Sequence, residues 1–235
     1  MHHRFYRYSV LGLAAIALVG CTYSGGIDEP FARKFSWFSY AAGDDIKAKC
    51  TADTPPTYRL IYNANWNEQV RAYDVRRSVI QGGGAKLSSR VFGGYGGNVG
   101  RFAMNDVSAP WRGPSRDASL TEEQYLQLIR AVEASGFGEP APEGTRLDSW
   151  DFYWLVAACA GGQFHYNAWK FPSDRWNRIA FDKVLFALDD TGARVNPPRK
   201  MDSAEQYFLS SAQNAKTYGY TFQVVVGRDG LAGRL

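Results

Sequence analysis

The sequence predicts an α+β protein with a mainly antiparallel sheet of about five or six strands and two principal helices packed on it. Hydrophobic residues make up 45% of the 235-residue chain and charged residues 21%, which is typical of a globular protein. Segments rich in β-forming residues occur in pairs separated by short turns. The chain lacks the regular alternation of strand and helix that a parallel sheet requires.

Two hairpins form most of the predicted sheet. The first covers residues 58–63 and 69–77, which are rich in β-forming residues and flank a turn-like break. The second covers residues 150–160 and 163–171. The Gly161-Gly162 pair between its strands is a two-residue loop of the kind that matches the twist of antiparallel strands.

The register of the second hairpin follows from its two-residue loop. Trp154 stands opposite Trp169, and Ala158 stands opposite His165. One face then carries Phe152, Trp154, Val156, Ala158, His165, Asn167, Trp169 and Phe171, and the other carries Tyr153, Leu155, Ala157, Cys159, Phe164, Tyr166 and Ala168. Because both faces are apolar, we expect the hairpin to be central and covered on both sides, at least in part.

Two principal helices are predicted. The clearest covers residues 121–135, where Thr121 and Gln124 match a capping box. The second covers residues 173–189 and begins with Ser173 as its cap. Their core-facing positions are Tyr125, Leu128, Ile129 and Val132 in the first, and Trp176, Ala180, Phe181, Val184, Leu185 and Leu188 in the second.

A glycine-rich stretch, residues 82–100, separates the first hairpin from the first helix. The spacing of Gly94, Gly96 and Gly100 misses the dinucleotide-binding fingerprint by one residue, and no Gly-Lys-Ser or Gly-Lys-Thr follows. We therefore interpret the stretch as a mobile hairpin loop. The remaining predicted elements are a strand near residues 101–105, a short helix over residues 203–212 and a last strand over residues 218–226.

The N-terminal segment has the features of an export signal. Arg4 and Arg7 precede an uncharged run over residues 10–20, which is shorter than the roughly 20 residues of a spanning helix. The run ends in Leu18-Val19-Gly20-Cys21, which resembles the lipobox of bacterial lipoproteins. A cysteine directly after a small residue favours this class over an ordinary signal peptide with a chance cysteine.

The resemblance implies cleavage between Gly20 and Cys21 and lipid modification of Cys21, which anchors a protein stably in a membrane. Thr22 stands where an aspartate would mark retention at the inner membrane in enteric bacteria, so the outer membrane, facing the periplasm, is favoured. The predicted layout is a cleaved signal peptide, a lipidated cysteine with a flexible tether, and a single globular domain, covering residues 1–20, 21–30 and 31–235.

Aromatic residues at helical spacing open the predicted domain. Phe31, Phe35 and Phe38 recur with Trp37 and Tyr40 beside them. Such a stripe can lie in a membrane interface. Packing against the core is favoured, because apolar stripes usually face inward.

Removal of the signal peptide leaves a nearly neutral chain with few metal ligands. Loss of Arg4 and Arg7 lowers the number of Lys and Arg residues from 27 to 25, against 23 Asp and Glu residues. The resulting net charge of +2 argues against nucleic acid as a partner.

Cys50 and Cys159 remain in an oxidising compartment, so we expect a disulfide between them. Reduced core thiols and half of a metal site are the alternatives. One histidine and two distant cysteines lack metal-ligand spacing, so no metal or other cofactor is expected.

One face of the second hairpin offers candidate site residues. His165 is a candidate general base or hydrogen-bond donor to a ligand stacked on Trp154 or Trp169, with Asn167 beside it. The alternative is that these residues are core packing, and no nucleophile or carboxylate shows a spacing that links it to His165. The leading hypothesis is therefore a non-enzymatic envelope lipoprotein that binds a protein or cell-wall glycan. The alternative is a periplasmic ligand-binding protein or hydrolase that uses this face.

Overall fold

The computed structural model describes residues 38–66, 68–80, 83–92, 114–210 and 223–232. Within these ranges the chain forms a six-stranded sheet and a three-stranded sheet, and all of their strand pairs are antiparallel. The predicted α+β class is confirmed. The lipobox, the tether and the predicted strand near residues 101–105 lie outside the described residues.

The large sheet has the strand order β4-β3-β2-β1-β6-β7, and the small sheet has the order β5-β8-β9. The strands are β1 Thr57–Ala64, β2 Gln69–Arg77, β3 Ala85–Phe92, β4 Ser115–Leu120, β5 Arg146–Asp148, β6 Phe152–Ala160, β7 Gln163–Lys170, β8 Gln223–Gly227 and β9 Gly230–Ala232. The helices of the described residues include α1 Asp44–Ala48, α2 Glu122–Ala134, α3 Asp174–Asn177, α4 Phe181–Leu188 and α5 Ser203–Ser210.

Both predicted hairpins form, as β1–β2 and β6–β7. In the second, Trp154 pairs with Trp169 and Ala158 with His165, as predicted. Gly161 and Gly162 have φ values of 57° and 76°, a left-handed conformation that glycine adopts without strain. The hairpin joins the first one through β6, which pairs with β1, while β7 lies at the edge of the sheet.

The large sheet is covered on both faces, which explains why its strands are apolar on both sides. On one face, Leu128 of α2 and Leu185 of α4 pack in a cluster with Trp154. On the other face, Ile46 of α1 and Val224 of the small sheet pack with the opposite side chains of β6. Tyr40 is buried in this second cluster and Phe38 packs against it, whereas Phe31, Phe35 and Trp37 lie outside the described residues.

The first principal helix is confirmed, but the second is not continuous. Ser173 caps α3 by accepting a hydrogen bond from the Trp176 amide at 3.1 Å, and that helix ends at Asn177. At the break, the Ala180 amide donates to Ser135 Oγ at 2.8 Å. A tertiary contact with the end of α2 therefore replaces an intrahelical hydrogen bond, and α4 begins after it at Phe181.

The glycine-rich stretch contains a strand that the prediction of a loop missed. β3 lies between the two glycine clusters and pairs with β2 on one side and β4 on the other. At Gly84, where φ is 62°, a Cβ atom would clash with the Leu120 carbonyl. β4 has a mostly exposed burial pattern, so hydrophobic alternation did not reveal it. Of the predicted strand over residues 218–226, the described part forms β8, Gln223–Gly227, in the small sheet, and residues 218–222 lie outside the described residues.

The predicted disulfide is present between Cys50 and Cys159. It joins residues 109 positions apart and ties the segment before β1 to the end of β6. Closing a loop of this length in the unfolded chain nominally stabilises a fold by about 4 to 5 kcal/mol. The link therefore reinforces the end of the β1–β6 pair at which β1 begins and β6 ends.

A buried arginine fixes the segment after α4 against β2. The Arg71 and Asp189 side chains are only 1% and 3% exposed and form an ion pair. Tyr73 Oη donates to the Asp189 carboxylate at 2.6 Å. Burial acts to raise the pKa of Asp189, but hydrogen bonds from Thr191 and Tyr73 and the charge of Arg71 outweigh it, and the pKa lies below its usual value.

We predict that Asp189→Asn destabilises the fold by about 3 to 5 kcal/mol at pH 7, because it leaves a buried arginine without its countercharge. A carboxylate with a lowered folded-state pKa contributes stability above its unfolded pKa of about 3.9 and loses that contribution as the pH falls through the folded-state value. The difference between wild type and variant, measured by urea unfolding, should therefore shrink below about pH 4. Asp190→Asn, at an exposed neighbour, is the control; an equal loss there would contradict the assignment.

Candidate functional site

The candidate residues of the second hairpin lie on one face in the predicted register, but in different environments. His165 is exposed on β7. Its ring lies 6.1 Å from the Phe137 ring. Within the part of the chain that the structure describes, its imidazole has no hydrogen-bond or ion-pair partner.

Asn167 is fully buried and holds backbone in place. Its side-chain amide nitrogen donates to the carbonyls of Phe137 and Glu139 at 3.0 and 2.8 Å. Its side-chain oxygen accepts from Arg175 at 2.6 Å and from the Ala168 amide at 2.9 Å. Because both polar atoms are engaged inside the protein, this carboxamide ties the loop after α2 to β7 and α3.

The two tryptophans of this face belong to the core. Trp154 stacks on Tyr62 with ring centroids 4.9 Å apart and meets Phe181 edge-on at 5.1 Å. Trp169 packs on the same Phe181 ring at 5.3 Å. Its indole nitrogen donates to the Ser135 carbonyl at 3.0 Å. Both indoles are at most 1% exposed, so the hypothesis that a ligand stacks on them is not supported, and the packing alternative describes their environment.

A solvent-reached cleft lies at the end of the large sheet where β6 begins and β7 ends. It has a volume of about 250 Å³. Three chain segments line it: the residues that lead into β6, those that follow β7, and those before α5. The lining residues are Trp150, Asp151, Phe152, Phe171, Pro172, Arg199, Lys200 and Met201.

Two cations stand on one wall of the cleft. Arg199 lies 5.4 Å from the centre of the Phe152 ring and pairs with Glu68 and with Glu205. Hydrogen bonds to Glu68 raise the pKa of Arg199 above its usual value, and the two carboxylates hold its guanidinium in position. Lys200 is exposed, and its ammonium has no ion-pair partner among the described residues.

Aromatic rings and one carboxylate complete the cleft. Trp150 is half-buried, and its indole nitrogen has no hydrogen-bond partner within the described ranges. Asp151 pairs with Lys170 at 2.7 Å and accepts from the Asp148 amide at 2.8 Å, so its charge is compensated. The cleft therefore presents flat apolar surface, an indole N–H donor and an uncompensated ammonium, which together suit a ring that carries an anionic group.

Sequence analysis missed this cleft because its walls come from three separate segments that are spread over about fifty residues of the chain. The local signal is the dense aromatic composition around residues 150–152 and 171, of which the predicted register places Phe152 and Phe171 on the face that carries His165. Phe152 does lie in the core. The neighbouring Trp150, two positions before β6, is half-buried.

Comparison of the chain with protein-family models, with curated proteins and with solved structures finds no match in any of the three. Among the residues that the structure describes, no helix has both the length and the hydropathy that crossing a bilayer requires. The same ranges hold no group of three or more His, Cys, Asp or Glu side chains placed to bind a metal ion.

We predict that Asn167→Ala lowers the free energy of unfolding by at least about 2 kcal/mol, because it leaves buried carbonyls and Arg175 without their partner. His165→Ala, two positions away on the same strand, should change it by less than about 0.5 kcal/mol, because that side chain is exposed. Urea unfolding followed by circular dichroism measures both. Equal effects of the two substitutions would show that the structural role is misassigned.

Proposed function

We propose that this protein is a lipid-anchored lipoprotein of the bacterial envelope that binds cell-wall glycan through the cleft at Trp150, Arg199 and Lys200. The anchor is supported by the lipobox-like run Leu18-Val19-Gly20-Cys21. The observation that carries the binding role is the cleft itself, which is lined by the half-buried Trp150 and by Lys200, whose ammonium has no ion-pair partner among the described residues. The binding role requires no chemical step on the ligand.

The dimensions of the cleft favour a small ligand group over a protein surface. Its volume of about 250 Å³ is near the lower end of small-molecule pockets, which are about 300 to 1,000 Å³. A stable protein–protein interface instead buries roughly 1,200 to 2,000 Å² of surface. A single sugar ring or a short peptide branch fits a cleft of this volume.

The chemistry of the walls favours a glycan that bears carboxylates. The apolar face of a sugar ring packs against an indole, and its hydroxyl and amide groups accept from the indole N–H. Carboxylates on the peptide branches of a cell-wall glycan are counterions for Lys200 and Arg199. Arg199 is already bound to two carboxylates, so Lys200 supplies most of the new charge pairing.

Binding is tested with soluble muropeptides prepared by digesting bacterial cell wall. Trp150→Ala should weaken their binding by about tenfold or more, because buried tryptophan contacts are worth roughly 2 kcal/mol at binding sites. Lys200→Glu should weaken binding and reduce its salt dependence. Lys183→Glu, which makes the same charge change at an exposed position on α4, should leave binding unchanged.

Calorimetric titration of the purified chain measures these affinities, and thermal melting confirms that each variant is folded. Wild-type protein that does not bind any muropeptide contradicts the proposed ligand. An equal loss of binding in the Lys183→Glu variant would place the binding site elsewhere.

Anchoring is tested separately by membrane fractionation. Cys21→Ser should remove the protein from the alkali-washed membrane pellet, because the acyl chains that hold it are attached to that residue. Cys50→Ser, which also removes one thiol but lies after the tether, should remain in the pellet. Mass spectrometry of the N-terminal peptide should find the added lipid on Cys21. Absence of the lipid mass from Cys21 of the wild-type protein would contradict the anchor.

A further inference from the structure

The turn between β2 and β3 exposes two large aliphatic side chains. Val79 is 83% exposed and Ile80 is 73% exposed. The Ile80 amide donates to Ser78 Oγ at 3.1 Å, and the Ile80 carbonyl accepts from the Gly83 amide at 2.9 Å. These local hydrogen bonds join Ser78, Ile80 and Gly83, and the two apolar side chains are exposed to solvent. Two adjacent aliphatic residues at a protruding turn differ from the single exposed apolar residues that are ordinary on protein surfaces.

Cations lie directly behind this turn. Arg76 and Lys86 are cross-strand partners at the ends of β2 and β3. Arg76 is exposed, and its guanidinium has no ion-pair partner in the described part of the chain. Lys86 pairs with Asp117, and Arg77 pairs with Glu122. Of these three cations, Arg76 is the one without a countercharge in the described part of the chain, and its guanidinium suits an anionic headgroup.

The chain enters the described structure near the same end of the sheet. Tyr40 donates from its hydroxyl to Asp74 at 2.8 Å, and its carbonyl accepts from Arg59 at 3.1 Å. Asp74 is five positions before Val79, a distance of about 17 Å along an extended chain. Phe38 is 17 residues after Cys21, so the connecting chain can span at most about 60 Å. A lipid on Cys21 and the β2–β3 turn can therefore reach the same bilayer.

We propose that Val79 and Ile80 at the β2–β3 turn insert into the interface of the bilayer that holds the lipid anchor, with Arg76 contacting anionic lipid headgroups. This inference rests on the proposed lipidation of Cys21. Apolar side chains of interfacial segments lie about 5 to 10 Å below the headgroup boundary, a depth that the side chains at the tip of a hairpin can reach without unfolding the sheet.

The contact orients the protein. The cleft lies beside Phe152, where β6 begins. Ala160, where β6 ends, lies at the opposite end of the sheet, which is the end that carries the β2–β3 turn. The nine residues of β6 correspond to about 30 Å. With the β2–β3 turn in the bilayer, the cleft points away from the membrane, toward the space that the cell wall occupies.

The test uses the full lipidated protein in vesicles of phosphatidylethanolamine and phosphatidylglycerol. A nitroxide is attached to Val79→Cys and, as the matched control, to Arg194→Cys. Arg194 is exposed, and its carbonyl accepts from Gln69 at the opposite end of the sheet. The label reacts with the new cysteine alone, because Cys50 and Cys159 form a disulfide and a lipidated Cys21 has no free thiol.

Collision rates with oxygen and with a water-soluble nickel chelate measure the depth of each label. We expect the oxygen-to-nickel ratio at position 79 to be several-fold higher than at position 194, and Ile80→Asp or Arg76→Glu to lower it. Equal ratios at both positions overturn the inference. Dipolar coupling between labels at position 79 also overturns it, because it would show that a second copy covers the turn. A protein without the lipid mass on Cys21 contradicts the anchor, whereas a lipidated protein with a solvent-exposed label contradicts only the membrane contact of the turn.

Discussion

The pairing of β1 with β6 is the contact on which the rest of the structure depends. It joins two hairpins whose paired residues, such as Tyr62 and Trp154, lie about ninety positions apart. Without it there would be two small sheets, each with an apolar edge strand exposed to solvent. With it, a single six-stranded surface is wide enough for helices to cover one face and for α1 and the small sheet to cover the other. The Cys50–Cys159 disulfide reinforces one end of the same pairing.

Two buried arginines position the segments that flank this sheet. Arg59 joins β1 to Asp74 on β2 at 2.8 Å and to Asp45 on α1 at 2.6 Å. Arg71 joins β2 to the segment after α4 through its ion pair with Asp189. Buried ion pairs add little net stability, but one that loses a partner is costly. They therefore favour one docking position of each segment over sliding alternatives that would leave a buried charge unpaired.

The segment held by Arg71 continues to the wall of the cleft. Asn196 and Arg199 both donate to the Glu68 carboxylate, which stands between β1 and β2. The cleft thus has one wall supplied by the sheet and one supplied by a loop that carboxylates hold in place. In the proposed arrangement, the same sheet separates the two surfaces that meet different partners, with the glycan at the cleft and the bilayer at the β2–β3 turn.

The features that the sequence determined are those with local causes. The register of β6–β7 follows from two glycines in a two-residue turn, and α2 follows from its capping box and the spacing of Tyr125, Leu128 and Val132. With only Cys50 and Cys159 left besides the cysteine predicted to carry the lipid, the sequence also determined the disulfide pairing. The break before Phe181, the pairing of β3 with β4, the burial of Asn167 and the cleft were decided by tertiary structure. Each depends on contacts between segments distant along the chain, and such contacts leave no periodic signal within any one segment.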